Sequence, residues 1–239
     1  MDTSPPTVVA RVPVAVLCLD ADGRPVSPSA PTLARGSTGL QDLVHRVYTG
    51  IRGEVPGEAV TVSFQEVRQG ALQLEYLVVD RARGLGRRWL RGARHGDAAQ
   101  TALTEAATVV FATVTVISAL GAATSARWAD TPDPEAVDLV LDGAAALRVP
   151  RAVPALLRDG TALQMVRDPL APFSDGEIEQ MIITKDTGAA GDHDRVVVTR
   201  TPGLVRFVEG GPVAPLPDSG TAAPERPAPR AHGIPAERR

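Results

Sequence analysis

Alternating apolar side chains predict a first β-strand over residues 8–19. Val12 and Val14 fall on one face of that strand, whereas Ala15 and Leu17 fall on the other. Because both faces are apolar, we expect other elements to cover the strand on both sides.

A helical period replaces the alternation after a Pro/Ser-rich loop. Ser37 or Thr38 is the expected N-cap of this helix, and Gly53 is its expected end. Apolar residues recur between them at spacings of three and four, which is the pattern of one buried helix face. They are Leu40, Leu43, Val44, Val47 and Ile51.

A β-hairpin is predicted over residues 60–79, because Val60, Val62 and Phe64 alternate with polar residues and the alternation resumes at Leu72. One face of this hairpin should be exposed to water. Strand, helix and hairpin form a β-α-β-β unit in which the helix covers one face of a sheet. The expected fold class is therefore α+β.

Residues 106–126 form a run of 21 residues without a charge. As a helix, such a run is long enough to cross about 30 Å of hydrocarbon. Six arginines lie upstream in residues 81–95, and several acidic residues follow the run. This order of charges is that of a single membrane span with the N-terminus inside the cell.

The content of the same run favours a helix in a soluble core. Small or hydroxylated residues make up two thirds of it, whereas the large apolar residues fall on one stripe. That stripe consists of Leu103, Val110, Val114, Ile117 and Leu120. A core helix would begin at Asp97 as N-cap and break or bend near Gly121. Both interpretations, span and core helix, remain open from sequence.

The C-terminal half gives weaker signals. We expect a short helix over residues 134–147 and one or two helical turns after Pro150. Ser174 and Glu177 have the spacing of a capping box. Two strands are expected around the turn at 201–203.

These patterns divide the chain into five parts. They are a β-α-β-β domain (1–80), an Arg-rich connector (81–96), a long apolar helix (97–128), a smaller α/β region (129–210) and a disordered tail (211–239).

Charge and cysteine content limit the classes of function. The net charge of −3 gives no general attraction to nucleic acid or anionic lipid. The single cysteine, Cys18, excludes an internal disulfide, and its place in an apolar strand predicts a buried thiol with a raised pKa, unsuited to nucleophilic attack. The N-terminal residues lack the features of a secretory signal, so we expect a cytoplasmic protein, or a membrane protein if residues 106–126 span the bilayer.

The simplest interpretation of the Arg-rich connector is a solvated linker, and its functional interpretation is a contact for an anionic partner or lipid headgroups. Its candidate residues are Arg83, Arg87, Arg88, Trp89, Arg91 and Arg94. Nucleic acid is disfavoured as the partner, because stacking aromatic residues are scarce.

No nucleotide-binding, hydrolase, kinase or metalloprotease motif occurs in the chain. The four histidines are scattered, so we assign no catalytic, cofactor-binding or metal-ligating residue. The expected function is that of a non-catalytic accessory or adaptor protein that contacts another macromolecule without a cofactor, and the expected partner is a protein. The alternatives are a single-pass membrane-anchored signalling or effector component, and an enzyme whose site has no local motif.

Overall fold

The chain contains both helices and antiparallel strands, which confirms the predicted α+β class. The computed structural model describes residues 7–68, 71–80, 92–143, 145–186 and 193–213. The elements are β1 (Thr7–Leu19), β2 (Pro25–Val26), α1 (Ala30–Arg52), β3 (Glu58–Arg68), β4 (Ala71–Asp80), α2 (Gly92–Ala122), β5 (Ala126–Asp130), β6 (Ala136–Leu141), β7 (Ala145–Pro150), α3 (Val153–Leu156), α4 (Gly160–Ser174), β8 (Gln180–Asp186), β9 (His193–Thr199) and α5 (Pro202–Val208).

The main sheet has the strand order β3-β4-β1-β8-β9, and the short β2 pairs with the end of β1. Every pairing is antiparallel. The predicted first strand and the predicted hairpin are therefore both present. Because β1 pairs with β4 on one side and β8 on the other, strands from the two ends of the chain belong to one sheet.

Helices α1 and α2 cover one face of this sheet, which we call the inner face. Along β1, Val12, Val14 and Cys18 point into the core and are at most 5% exposed. The intervening residues Ala15 and Leu17 are only half-buried. The expectation that both faces of β1 would be covered is wrong, because within the described chain the helices pack on the inner face alone.

Helix α1 begins earlier than its periodicity predicts. Ser29 is the residue before the helix, and Pro31 lies in its first turn. Ser37 and Thr38 are not caps, since both hydroxyls donate to the Ala34 carbonyl inside the helix. The additional turns are stabilised by packing against α4, because glycines at positions 36 and 39 let the two helices approach closely.

Helix α2 is the centre of the hydrophobic core. The side chains of its predicted stripe are all 0–1% exposed, at Leu103, Val110, Val114, Ile117 and Leu120. The main sheet packs on one side of α2 and the second sheet, with the order β5-β6-β7, packs on another. The segment Gly96–Ala122 has a mean hydropathy of 1.8, enough for a membrane span, but 61% of the apolar window is buried inside the protein.

The ends of α2 differ from those expected. The helix begins at Gly92, so Asp97 lies inside it and is not its N-cap. It runs through Gly121 and ends at Ala122. Gly121 is needed for contact rather than for bending, because a Cβ at this position would lie 2.8 Å from the backbone nitrogen of Leu204.

The expected helix over 134–147 is wrong, because β6 and β7 form a hairpin there. Val137 and Leu139 are buried on one face of β6, with Asp138 between them only half-buried. The turn starts at Asp142 and Gly143, whose φ angles are 49° and 75°. An Asp-Gly pair in this left-handed region favours a tight hairpin over a helix.

Two further expectations about the C-terminal half are wrong. Ser174 is the last residue of α4, so it does not form a capping box with Glu177. The segment after the turn at 201–203 is helix α5 instead of a strand, because the Thr201 side chain caps the backbone N–H of Leu204 at 3.1 Å. Of the expected disordered tail, residues 211–213 are described and Val213 is buried. Residues 214–239 lie outside the described residues.

Candidate functional site

The outer face of the main sheet carries a row of apolar side chains across four neighbouring strands. Strand register places Leu17 of β1 opposite Ala71 of β4 and Ile182 of β8, and Ile182 opposite Val197 of β9. At about 4.8 Å between strands, this row is about 14 Å long. We call these four residues the outer apolar row.

The outer apolar row is partly open to solvent. Val197 is 42% exposed, and Leu17, Ala71 and Ile182 are half-buried. No helix among the described residues packs against them, and none of them belongs to the described hydrophobic core. A contiguous, partly exposed apolar patch is typical of a surface that another molecule covers.

Mostly polar side chains border the outer apolar row. The next row of the sheet, two residues along each strand, contains Gln73, Thr184 and Arg195, with the small Ala15 among them. Gln180 and Thr199 lie on its other side, next to Leu19. An apolar centre with a polar rim is the usual anatomy of a protein interface.

One edge of the sheet, strand β3, is less suited to binding over part of its length, because helix side chains occupy it. The backbone N–H of Val60 donates to His45 Nδ1 at 3.4 Å, and that of Val62 donates to Gln41 Oε1 at 3.2 Å. These bonds protect β3 from pairing with another strand over this stretch. His45, to which the sequence assigned no role, therefore accepts a hydrogen bond from the backbone of the edge strand.

The unpaired part of β1 is protected in the same way. Gln100 of α2 accepts a hydrogen bond from the backbone N–H of Arg11 at 3.0 Å and donates to the Arg11 carbonyl at 2.9 Å. One amide side chain therefore replaces a neighbouring strand at this position. We therefore take the face of the sheet, rather than these protected segments of β1 and β3, as the candidate surface.

A buried polar cluster joins α1 to the start of β3. Tyr48 donates a hydrogen bond of 2.6 Å to Glu58, and Arg52 lies 3.8 Å from the same carboxylate. Burial, followed by the bond to Glu58, raises the pKa of Tyr48. The Glu58 side chain is only 2% exposed, so this cluster stabilises the fold instead of meeting a substrate.

Two other buried polar groups lie on the inner face of the sheet. Lys185, the only lysine of the chain, is 1% exposed and donates to the Thr108 hydroxyl at 2.6 Å. Tyr76 is fully buried, and within the described part of the chain its hydroxyl has no hydrogen-bond partner. Burial raises the pKa of Tyr76.

The thiol of Cys18 behaves as predicted. It is 5% exposed, and burial, followed by the charge of Glu177, raises its pKa to about 11. A thiol with this pKa is almost entirely protonated at neutral pH, so it is a poor nucleophile. Among residues 7–213 that the structure describes, no group of three or more His, Cys, Asp or Glu residues could hold a metal ion.

The predicted basic contact falls largely outside the described chain. Arg83, Arg87, Arg88, Trp89 and Arg91 lie outside the described residues. Arg94 lies near the start of α2, but its side chain is not described. Their role in binding an anionic partner or lipid headgroups therefore stays a prediction.

No protein-family model matches this chain, and neither a curated protein nor a solved structure is significantly similar to it. Its function is therefore inferred from its own side chains. The outer apolar row was not found from sequence, although the period-two pattern of β1 already showed apolar residues on both faces.

Proposed function

We propose that this protein is a non-catalytic, cytoplasmic adaptor that binds another protein through the outer face of its main sheet. The observation that carries this proposal is the outer apolar row, a band of partly exposed apolar side chains on a domain whose hydrophobic core lies on the other face of the sheet.

The geometry of the row supports a protein partner. A flat surface about 14 Å long with a polar rim offers no enclosed volume for a small molecule, but it matches the apolar centre of a protein interface. The partner would place aliphatic or aromatic side chains against Leu17 and Ile182. The arginines of the Arg-rich connector would add a contact with anionic groups. These groups would be acidic residues of the partner or lipid headgroups.

The alternative of a single-pass membrane protein has less support. Helix α2 has the length and hydropathy for a span, but its large side chains pack against two sheets of the same chain. Insertion into lipid would remove these contacts and expose the facing strands. An enzyme without a local motif remains the third hypothesis, and the buried polar groups described above give it no specific support.

A matched pair of arginine substitutions tests the proposal. Val197 and Thr199 are both exposed and lie on the same face of β9. Val197 belongs to the outer apolar row, whereas Thr199 belongs to its polar border. We expect Val197→Arg to remove crosslinks between the tagged full-length protein and its partner in the cells that produce it. Thr199→Arg should retain them, and both variants should unfold at the wild-type temperature. Identical crosslinked proteins for the wild type and Val197→Arg would contradict the proposal.

A further inference from the structure

A cavity of about 50 Å³ lies between α1, α4 and the inner face of the main sheet. Leu40 of α1, Pro169 of α4, and Cys18 and Met181 of the sheet are among its lining residues. Since one water-sized group needs about 10–15 Å³ of such space, the cavity has room for about three or four groups of that size. The cavity is partly open to solvent.

The lining gives an incoming molecule almost nothing to hydrogen-bond. Its described polar side chains are the Cys18 thiol and the hydroxyls of Thr32 and Ser37. Thr32 already shares a hydrogen bond of 2.7 Å with Ser29, and Ser37 donates to a carbonyl of its own helix at 2.9 Å. A bound water needs two to four polar partners, so water is poorly held here and an apolar group is preferred.

The cavity reaches the surface between α1 and the end of β4 near the hairpin turn. Most of its lining is buried, but Val16, Leu33, Ser37 and Leu72 are half-exposed. These four residues mark the entrance. A molecule can therefore insert an apolar end while its polar end stays in water beside Ser37.

We propose that this cavity binds the terminal three or four carbons of an alkyl chain belonging to a small, freely diffusing amphiphile. The small volume limits the occupant to a few carbons, and the apolar lining excludes the polar head. This proposal does not rest on the adaptor function, because the cavity lies on the inner face of the sheet and the outer apolar row on the opposite face.

The methionines allow a direct test with the full-length protein. Met181 lines the cavity, whereas Met165 of α4 does not, so ¹³C-labelled methionine methyl groups give a probe and an internal control. Titration with 1-alkanols from ethanol to hexanol should shift the Met181 signal saturably and leave the Met165 signal in place. Affinity should increase about fourfold per methylene, up to about four carbons, and then remain constant.

Substitutions at the entrance provide the matched variants. Leu33→Trp should close the entrance and abolish the shift of Met181. Leu163→Trp makes the same change at another half-buried helical leucine, outside the cavity lining, and should leave binding intact. If Leu33→Trp fails to fold, the alkanol titrations of the wild type still test the proposal.

Three results would overturn the proposal. The first is the absence of a saturable Met181 shift, and the second is an equal response at Met165. The third is a response to phosphatidylcholine vesicles but not to free alkanols, which would indicate a lipid-borne acyl chain instead of a free amphiphile. Val197→Arg should leave the Met181 titration unchanged, so failure of the adaptor proposal is distinguishable from failure of this one.

Discussion

Two glycines of α1 should respond in opposite directions to the same substitution. A Cβ at Gly39 would lie 2.7 Å from the carbonyl oxygen of Met165 and 2.8 Å from Cβ of Asp168, both on α4. A Cβ at Gly50 would meet nothing within 4 Å. Both positions are helical, so alanine gains the same intrinsic helix propensity at each.

The magnitudes follow from these distances. Alanine is more favourable than glycine in a helix by about 0.5–1 kcal/mol, so Gly50→Ala should raise the free energy of unfolding by that amount. At position 39 the new methyl group must push α1 away from the α4 backbone, at a cost of about 1–3 kcal/mol. After the propensity gain, Gly39→Ala should be destabilising by about 1 kcal/mol, and by at most about 2.5 kcal/mol.

Urea unfolding followed by circular dichroism at 222 nm measures both changes. The two variants should differ by about 2 kcal/mol, which corresponds to about 4–8 °C in melting temperature for a chain of this size. Equal stabilisation by both substitutions would refute the close approach of α1 and α4. Equal destabilisation would refute the open surroundings of Gly50.

Three further predictions concern the core. Tyr76→Phe removes a buried hydroxyl without a described partner, so it should raise the free energy of unfolding by about 1 kcal/mol in a urea titration; a loss of stability would indicate a partner. Gly203→Ala would place a Cβ 2.7 Å from Cα of Gly121 and should lower stability by about 2 kcal/mol, measured by thermal unfolding; an unchanged melting temperature would contradict the contact. Burial raises the pKa of Cys18, to about 11, and also raises those of Tyr48 and Tyr76. The unfolded chain therefore loses these protons before the folded chain does, as the pH rises above about 8.5–10. The urea midpoint should consequently be lower at pH 10.5 than at pH 8. Equal midpoints would contradict the burial of these groups.

Sequence patterns were sufficient where a segment has one clear period. The alternation of β1 and of the β3–β4 hairpin predicted those strands, and the stripe containing Val110 and Val114 predicted the buried face of α2. In each case the same face of the element is apolar along its whole length, so local periodicity determines what is buried.

The patterns failed where tertiary contacts decide the structure. Pro169 and Pro172 lie inside α4, and prolines normally mark helix ends, so this helix was not expected. Around Val137 a short apolar run fits either period, and only the positive φ angles at Asp142 and Gly143 select the hairpin.

The candidate surface depends on contacts between distant parts of the chain. The outer apolar row exists because Leu17 pairs with Ile182, and no local pattern shows which strands become neighbours. The packing of α1 and α2 determines which apolar face of β1 is covered. The cavity likewise needs α1, α4 and β8 to be brought together.

Hydrogen exchange of the full-length protein in detergent-free buffer shows whether α2 is an internal core helix. If it is, we expect the backbone amides of residues 102–120 to be among the most protected of the chain, with an opening free energy equal to that of global unfolding. Rapid exchange of these amides, or a protein that remains in solution only with detergent, would contradict it.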